Sequence, residues 1–154
     1  MAVPVRRAVM GAVGLAILIQ LVPPSRTNPP VNLQQDIATV MNVDASIGGV
    51  LDRSCNDCHS NRTVWPWYSR IAPMSWVVAS DVSNGRRHMN FSEWGSYPDY
   101  KQQDLLSEMC KLVTERGMPP LSYALTHGGA NLSESDRQSI CSWTQAAVEI
   151  KQDQ

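Results

Sequence analysis

Ser54-Cys55-Asn56-Asp57-Cys58-His59-Ser60 contains two thiols two residues apart and an imidazole directly after the second, the pattern C-x-x-C-H. This spacing lets both thiols reach the two vinyl groups on one edge of a porphyrin and form thioethers, while the histidine supplies an axial nitrogen to the iron. The motif therefore predicts one covalently attached haem c, carried by Cys55, Cys58 and His59. Other uses of such cysteines fit less well. A redox dithiol of the thioredoxin kind wants a βαβ setting, and no alternating apolar strands flank this stretch. A zinc site wants four ligands, usually with a second cysteine pair, and Cys110 and Cys141 are far apart in sequence.

Outward from the motif, every periodic segment reads as helix. Ile47, Val50, Leu51 and Ser54 recur at helical spacing, with Asp44 or Ser46 available as N-cap, so a helix delivers the cysteines at its C-terminal end. After the motif, Trp65-Pro66-Trp67-Tyr68 forms a proline-broken aromatic loop. Trp65, Trp67 and Tyr68 are expected to wall the haem crevice, with Arg62 or Arg70 meeting a propionate. The segment from Pro73 to Asn84 reads as a helix opened by Pro73 and closed by Gly85, with Trp76, Val77, Ala79, Ser80 and Ser83 sharing a face. Residues 88–94 form a loop. Tyr100 to Arg116 is a longer amphipathic helix with Leu105, Met109, Leu112 and Val113 inward and Gly117 as its stop. A last helix starts after Ser133, with acidic residues in its first turn, and runs to about Ile150 with Ile140, Trp143, Thr144 and Ala147 inward. No strand pattern survives, and the expected fold class is all-α.

The N-terminus carries a membrane signal. Arg6-Arg7 precedes an uncharged apolar run from Ala8 to Val22, and Pro23-Pro24 stops it. A basic flank before an apolar run directs export, with the arginines retained on the cytoplasmic side. At about 1.5 Å per residue the run covers roughly 22 Å of a hydrocarbon core about 30 Å thick. Prolines occupy the place where a small-residue cleavage site would fall, which favours a retained signal-anchor over a cleaved peptide. Ser25 to Leu33 reads as an extended, proline-containing linker. The organisation expected is a transmembrane segment over 1–24, a linker and lead-in over 25–41, and a haem domain over 42–154.

Composition sets limits on function. The 154 residues carry a formal charge of -1, so the chain lacks the basic surface of a nucleic-acid binder. The aromatic set is five Trp and four Tyr against one Phe, flat groups with a polar handle that suit a planar cofactor as well as an ordinary core.

A low-spin electron carrier needs a second axial ligand, for which Met118, His88, His127 and Met89 are the candidates. Met118 leads, because it follows a glycine-terminated helix and Pro119-Pro120 would hold its loop stiff. A His59/Met118 pair would raise the reduction potential relative to a bis-histidine iron. Cys110 and Cys141 both edge inward helix faces, and sequence leaves a disulfide and two buried thiols equally open.

Taken together, Arg53 to Asn61, Trp65-Pro66-Trp67-Tyr68, Ala72-Pro73, Ser75-Trp76, His88, Asn90 to Trp94 and Met118-Pro119 resemble the bacterial haem-binding domain family over about 42–143. Gly117-Met118-Pro119-Pro120 before the final helix also resembles the distal half of class I cytochromes c. The resemblance implies a cytochrome c-like helical domain with one haem on Cys55, Cys58 and His59, anchored by its N-terminus. It implies no particular reaction or partner, and it keeps His88 in view as a ligand or a supporting group. The function expected first is electron transfer by a membrane-anchored single-haem cytochrome at the bacterial inner membrane, with the haem domain in the periplasm. Its partners would be the lipid bilayer and a membrane redox complex or another cytochrome. A haem with an open sixth site, peroxidase-like or ligand-sensing, and an accessory subunit of a respiratory complex are the alternatives.

Overall fold

Most helices begin where a side chain or a proline can deal with their free amides. In the computed structural model, which describes residues 2–152, α1 spans Ala2–Leu18 and continues as a 3-10 turn, Ile19–Leu21. Its described side chains lie almost entirely outside the packed body, and Pro4–Leu21 is long and apolar enough to cross a membrane. Helix α2 (Ile37–Val40) is capped by Asp36, whose Oδ1 accepts the Ala38 N–H at 3.0 Å. Helix α3 (Ala45–Ser54) is capped by Asp44 rather than Ser46; Asp44 Oδ1 accepts the Ser46 and Ile47 amides at 2.7 and 3.1 Å. The Ser46 hydroxyl also donates to Asp44 Oδ1 at 2.6 Å, and these three bonds to the charged form, that of the hydroxyl most of all, hold the Asp44 carboxyl below its usual range. The single turn α4 (Asn56–His59) carries the motif.

Helix α5 covers Met74–His88, α6 Asp99–Thr114, α7 Leu121–Thr126 and α8 Glu134–Gln152. Ser133 caps α8 reciprocally with Asp136: Ser133 Oγ accepts the Asp136 amide at 3.1 Å, and Asp136 Oδ2 accepts the Ser133 amide at 2.9 Å. Arg53 reaches the other oxygen of Asp136 at 2.6 Å, tying α3 to α8, and its hydrogen bond holds that carboxyl down at about 2. Among the described residues there is no strand. The fold is all-α, with an apolar N-terminal helix ahead of it.

The core forms where α6 packs along α8. Leu105, Leu106, Met109 and Val113 from α6 meet Ile140 and its neighbours on α8. Phe91 and the fully buried Trp94, from a 3-10 turn over Phe91–Ser96, complete it with Ile47, Val50 and Leu51 of α3. Arg137 is buried here, and its guanidinium donates to the carbonyls of Val113 and Leu132, which closes the C-terminal end of α6.

Two helix ends differ from the sequence expectation. Gly85 does not close α5, which runs on to His88. The glycine serves close packing instead, since a Cβ there would lie 2.4 Å from the Cys58 carbonyl oxygen. At the end of α6 the left-handed residue is Arg116 (φ 59°) rather than Gly117, whose amide donates back to Leu112 O at 2.9 Å. The α5 face also differs: Ser75 and Val82 are buried, while Trp76 and Val77 are exposed.

Residues 25–41 are stitched to the body. Asp36 and Ile37 are buried, and Asp36 pairs with Arg62 at 2.7 Å. Asn28 donates to Thr63 O at 2.9 Å, and Asn61 to Pro30 O at 3.2 Å. Arg86 gathers the segment against the motif, donating to Ser60 O, Thr27 O, Asn28 Oδ1 and Thr63 Oγ1 at 2.7–3.1 Å.

Cys110 and Cys141 form a disulfide between α6 and α8, which resolves the alternative that sequence left open. With 31 residues of separation, closing this loop constrains the unfolded chain by about 3–4 kcal/mol. The double variant Cys110→Ser/Cys141→Ser is expected to lose that much in equilibrium denaturation. An unchanged midpoint under non-reducing conditions would show that the crosslink contributes nothing.

Candidate functional site

Cys55 and Cys58 are free, and with His59 they line one cavity of about 290 Å³. The rest of its wall comes from α5 (Asp81, Asn84, Gly85, His88), α6 (Leu105, Glu108, Met109, Leu112, Val113) and Met118-Pro119-Pro120, with Phe91 behind His59. The lining is overwhelmingly apolar. Ser54, beside Cys55, also lines it, and its buried Oγ has no hydrogen-bond partner.

The sequence builds this geometry in a few steps. Helix α3 ends at Ser54, Cys55 turns the chain (φ -130°, ψ -41°), and α4 presents Cys58 and His59 one turn on. Gly85 allows α5 to lie against Cys58. His59 Nδ1 donates to the Met89 carbonyl at 3.0 Å, which fixes the tautomer and leaves the lone pair on Nε2. Burial lowers the His59 pKa, against the opposing pull of that carbonyl, so the ring is held neutral. Burial also pushes the thiols up, Cys55 to about 12 and Cys58 to about 11, with the second thiol and the Asp81 carboxylate adding to the two shifts respectively. A working redox dithiol needs the opposite direction. Among the described residues, no group of three or more His, Cys, Asp or Glu side chains is placed to hold a bare metal ion.

Of the candidate ligands, Met118, His88 and Met89 line this cavity and His127 does not. Met118 is half-buried on the cavity wall, its amide donating to Leu112 O at 3.2 Å, with the two prolines after it on the same wall. His88 also lines the cavity, but its Nε2 pairs with Glu108 at 2.8 Å and both side chains are well exposed. Met89 also lines the cavity, with its side chain buried and its carbonyl taken by His59. His127 lines a different, smaller cavity and stacks on Tyr123 with centroids 4.0 Å apart.

Trp65 and Tyr68 do not line the main cavity, contrary to the sequence expectation. Trp65 is drawn aside by a bond from its indole N–H to Asn28 Oδ1 (3.1 Å), and Tyr68 faces the smaller cavity beside His127. Arg62 is engaged by Asp36. Tyr123 was not foreseen. It lines both cavities and donates to Asp57 Oδ2 at 2.7 Å, pinning α7 onto the motif; burial, and then this bond to a carboxylate, raises its pKa. Nothing in the proline-flanked stretch around Tyr123 signals that contact, although an acidic residue inside the motif invites a search for a donor.

The chain matches the Haem-binding domain family over residues 14–146, most of its length. It belongs to that family. No match was found among curated proteins, and none among solved structures. The donor set suits the family's cofactor: two thiols, a neutral imidazole and a thioether surround an apolar cavity that holds one orphaned hydroxyl. In this Haem-binding domain, Cys55, Cys58 and His59 line one cavity with Met118, whereas Trp65, Tyr68 and His127 lie elsewhere.

Proposed function

We propose that this haem-binding protein is a membrane-anchored single-haem c-type cytochrome that transfers electrons on the outer side of the membrane. The observation that carries the proposal is the meeting of Cys55, Cys58, His59 and Met118 on one apolar cavity. When bound, the haem supplies a one-electron iron couple. Cys55 and Cys58 would hold it as thioethers, and His59, with Nδ1 committed to the Met89 carbonyl, would offer Nε2 to the iron. Met118 would offer its thioether sulfur from a segment stiffened by Pro119 and Pro120, which limits reorganisation between oxidation states. The apolar wall of Phe91, Leu105, Met109, Leu112 and Val113 keeps water out and favours the less charged state of the centre. The apolar helix Pro4–Leu21 would be the anchor, with Arg6 and Arg7 on the cytoplasmic side.

A second reading rests on His88 and Glu108, a hydrogen-bonded acid–base pair on the wall of the same cavity. If Met118 leaves the iron open, such a pair could move protons for a peroxidase-like reaction or receive a bound ligand. Absorption and magnetic resonance spectra of the purified protein beside Met118→Ala and His88→Ala separate the two. The expected result is low-spin iron with a methionine-sulfur band, lost in Met118→Ala and kept in His88→Ala. High-spin iron in the parent protein, or a spectrum indifferent to Met118→Ala, would favour the open-site reading.

A further inference from the structure

We infer that the segment Trp67–Val77 is a second membrane-contacting surface, seated in the lipid headgroup region beside the end of the N-terminal helix. The inference rests on the anchor reading given above. The segment is amphipathic in the wrong sense for water. Its small residues Ser69, Ala72 and Ser75 face the body at 0%, 8% and 2% exposure. Its large apolar ones, Trp67 (74%), Ile71 (49%), Met74 (46%) and Val77 (49%), face out, with Trp76 beside them. Single exposed apolar side chains are ordinary, but a run of them on one segment marks an interaction surface.

Where the surface lies identifies what covers it. Gln20, at the end of the apolar helix, exchanges two hydrogen bonds with the Ala72 backbone: Nε2 to the carbonyl at 3.2 Å, and the amide to Oε1 at 3.0 Å. The Trp76 indole N–H donates to Val22 O at 2.9 Å, and Arg26 donates to Ser69 O at 3.1 Å. The boundary between anchor and body is therefore not a free hinge. Wherever Leu21 sits in the bilayer, residues 69–76 sit within a side chain of it, and Leu21 (71% exposed) and Val22 (67%) extend the same apolar area. The 18 residues of Pro4–Leu21 span about 27 Å at 1.5 Å per residue, slightly less than a hydrocarbon core of about 30 Å. A short span draws its flanking residues into the interface. Trp67, with an apolar body and a polar edge, and the exposed Arg70 near it are side chains that headgroups accept.

The test uses the full haem-loaded chain in lipid nanodiscs. A nitroxide is attached through p-acetylphenylalanine placed singly at Met10, Ile71, Met74 or Asp104, which leaves all four cysteines untouched. Power saturation then compares accessibility to oxygen, which concentrates in lipid, with accessibility to a water-soluble nickel chelate. The oxygen-to-nickel ratio is expected to be highest at Met10, severalfold above Asp104 at Ile71 and Met74, and lowest at Asp104. A lipid-buried Met10 with Ile71 and Met74 as wet as Asp104 would overturn the docking surface and leave the anchor standing. A water-exposed Met10 would overturn both. Shielding of Ile71 and Met74 that disappears in discs holding a single copy would assign the face to a second copy of this chain and overturn the lipid assignment.

Discussion

Cys55→Ser/Cys58→Ser protein, made alongside an intact cytochrome maturation system, is expected to return to its apo mass on denaturation, whereas the parent chain keeps the added mass of one haem. No other substitution should have so complete an effect. The two thiols are the free cysteines of the chain, since Cys110 and Cys141 are joined to each other. They lie at the end of α3 and within α4, on the wall that also carries His59. Covalent bonds remove the translational and rotational cost of keeping a cofactor, which otherwise takes several kcal/mol from the affinity. The double variant should therefore also lose haem to a competing apo-acceptor far faster than the parent, even though His59 and the apolar wall remain. The single variants should each retain one thioether. If the parent itself denatures to apo mass, the thioether assignment fails while membership of the haem-binding family stands. If only the serine variant does so, the chemistry resides in these two sulfurs.

The motif and the helices around it were legible because local rules determine them. Asp44 or Ser46, and the stretch from Leu132 to Asp136, announce helix starts by their position before apolar periodicity, and C-x-x-C-H marks by spacing two thiols and an imidazole that the fold brings to one cavity. The apolar face of α6 and the inward residues Ile140 and Thr144 of α8 follow from a 3.6-residue repeat that any water-facing helix must obey. What sequence missed depends on contacts far along the chain. Trp65 and Tyr68 read as crevice wall because they follow the histidine directly, yet Asn28, 37 residues earlier, pulls the first aside. Trp76 and Val77 read as inward because apolar residues in a soluble helix usually are, yet both are exposed beside the end of the apolar N-terminal helix. Arg86, which nothing in the sequence singles out, is the clamp that joins the residue 27–28 segment, Ser60 and Thr63. Of the cavity lining, Cys55, Cys58, His59 and Met118 were singled out from local sequence, while Asp81 and Tyr123 needed the packing of α5 and α7 to be known.

Gly85 offers the sharpest test of that packing, because two physical effects predict opposite signs. Glycine inside a helix costs about 1 kcal/mol relative to alanine, so Gly85→Ala in a solvent-facing helix would stabilise the protein. Here the new Cβ would meet Cys58 O at 2.4 Å, the Cys58 carbonyl carbon at 2.9 Å and its Cβ at 3.1 Å. Two of these are backbone atoms of the motif, so no flexible side chain can swing away. Either α5 or α4 must move, and overpacking of this kind typically costs about 1–3 kcal/mol, which outweighs the propensity gain. The displacement would also fall on the site, since α5 supplies Asp81, Asn84 and His88 to the cavity and Cys58 is one of its two thiols. Gly85→Ala is thus expected to lower the denaturation midpoint and reduce covalent haem yield together. Gly48→Ala and Gly49→Ala, in α3 with open space at the Cβ, should hold or raise stability and leave the yield unchanged. A Gly85→Ala protein as stable and as fully haem-loaded as its parent would mean that α5 does not rest on Cys58, and the cavity as described would have to be redrawn.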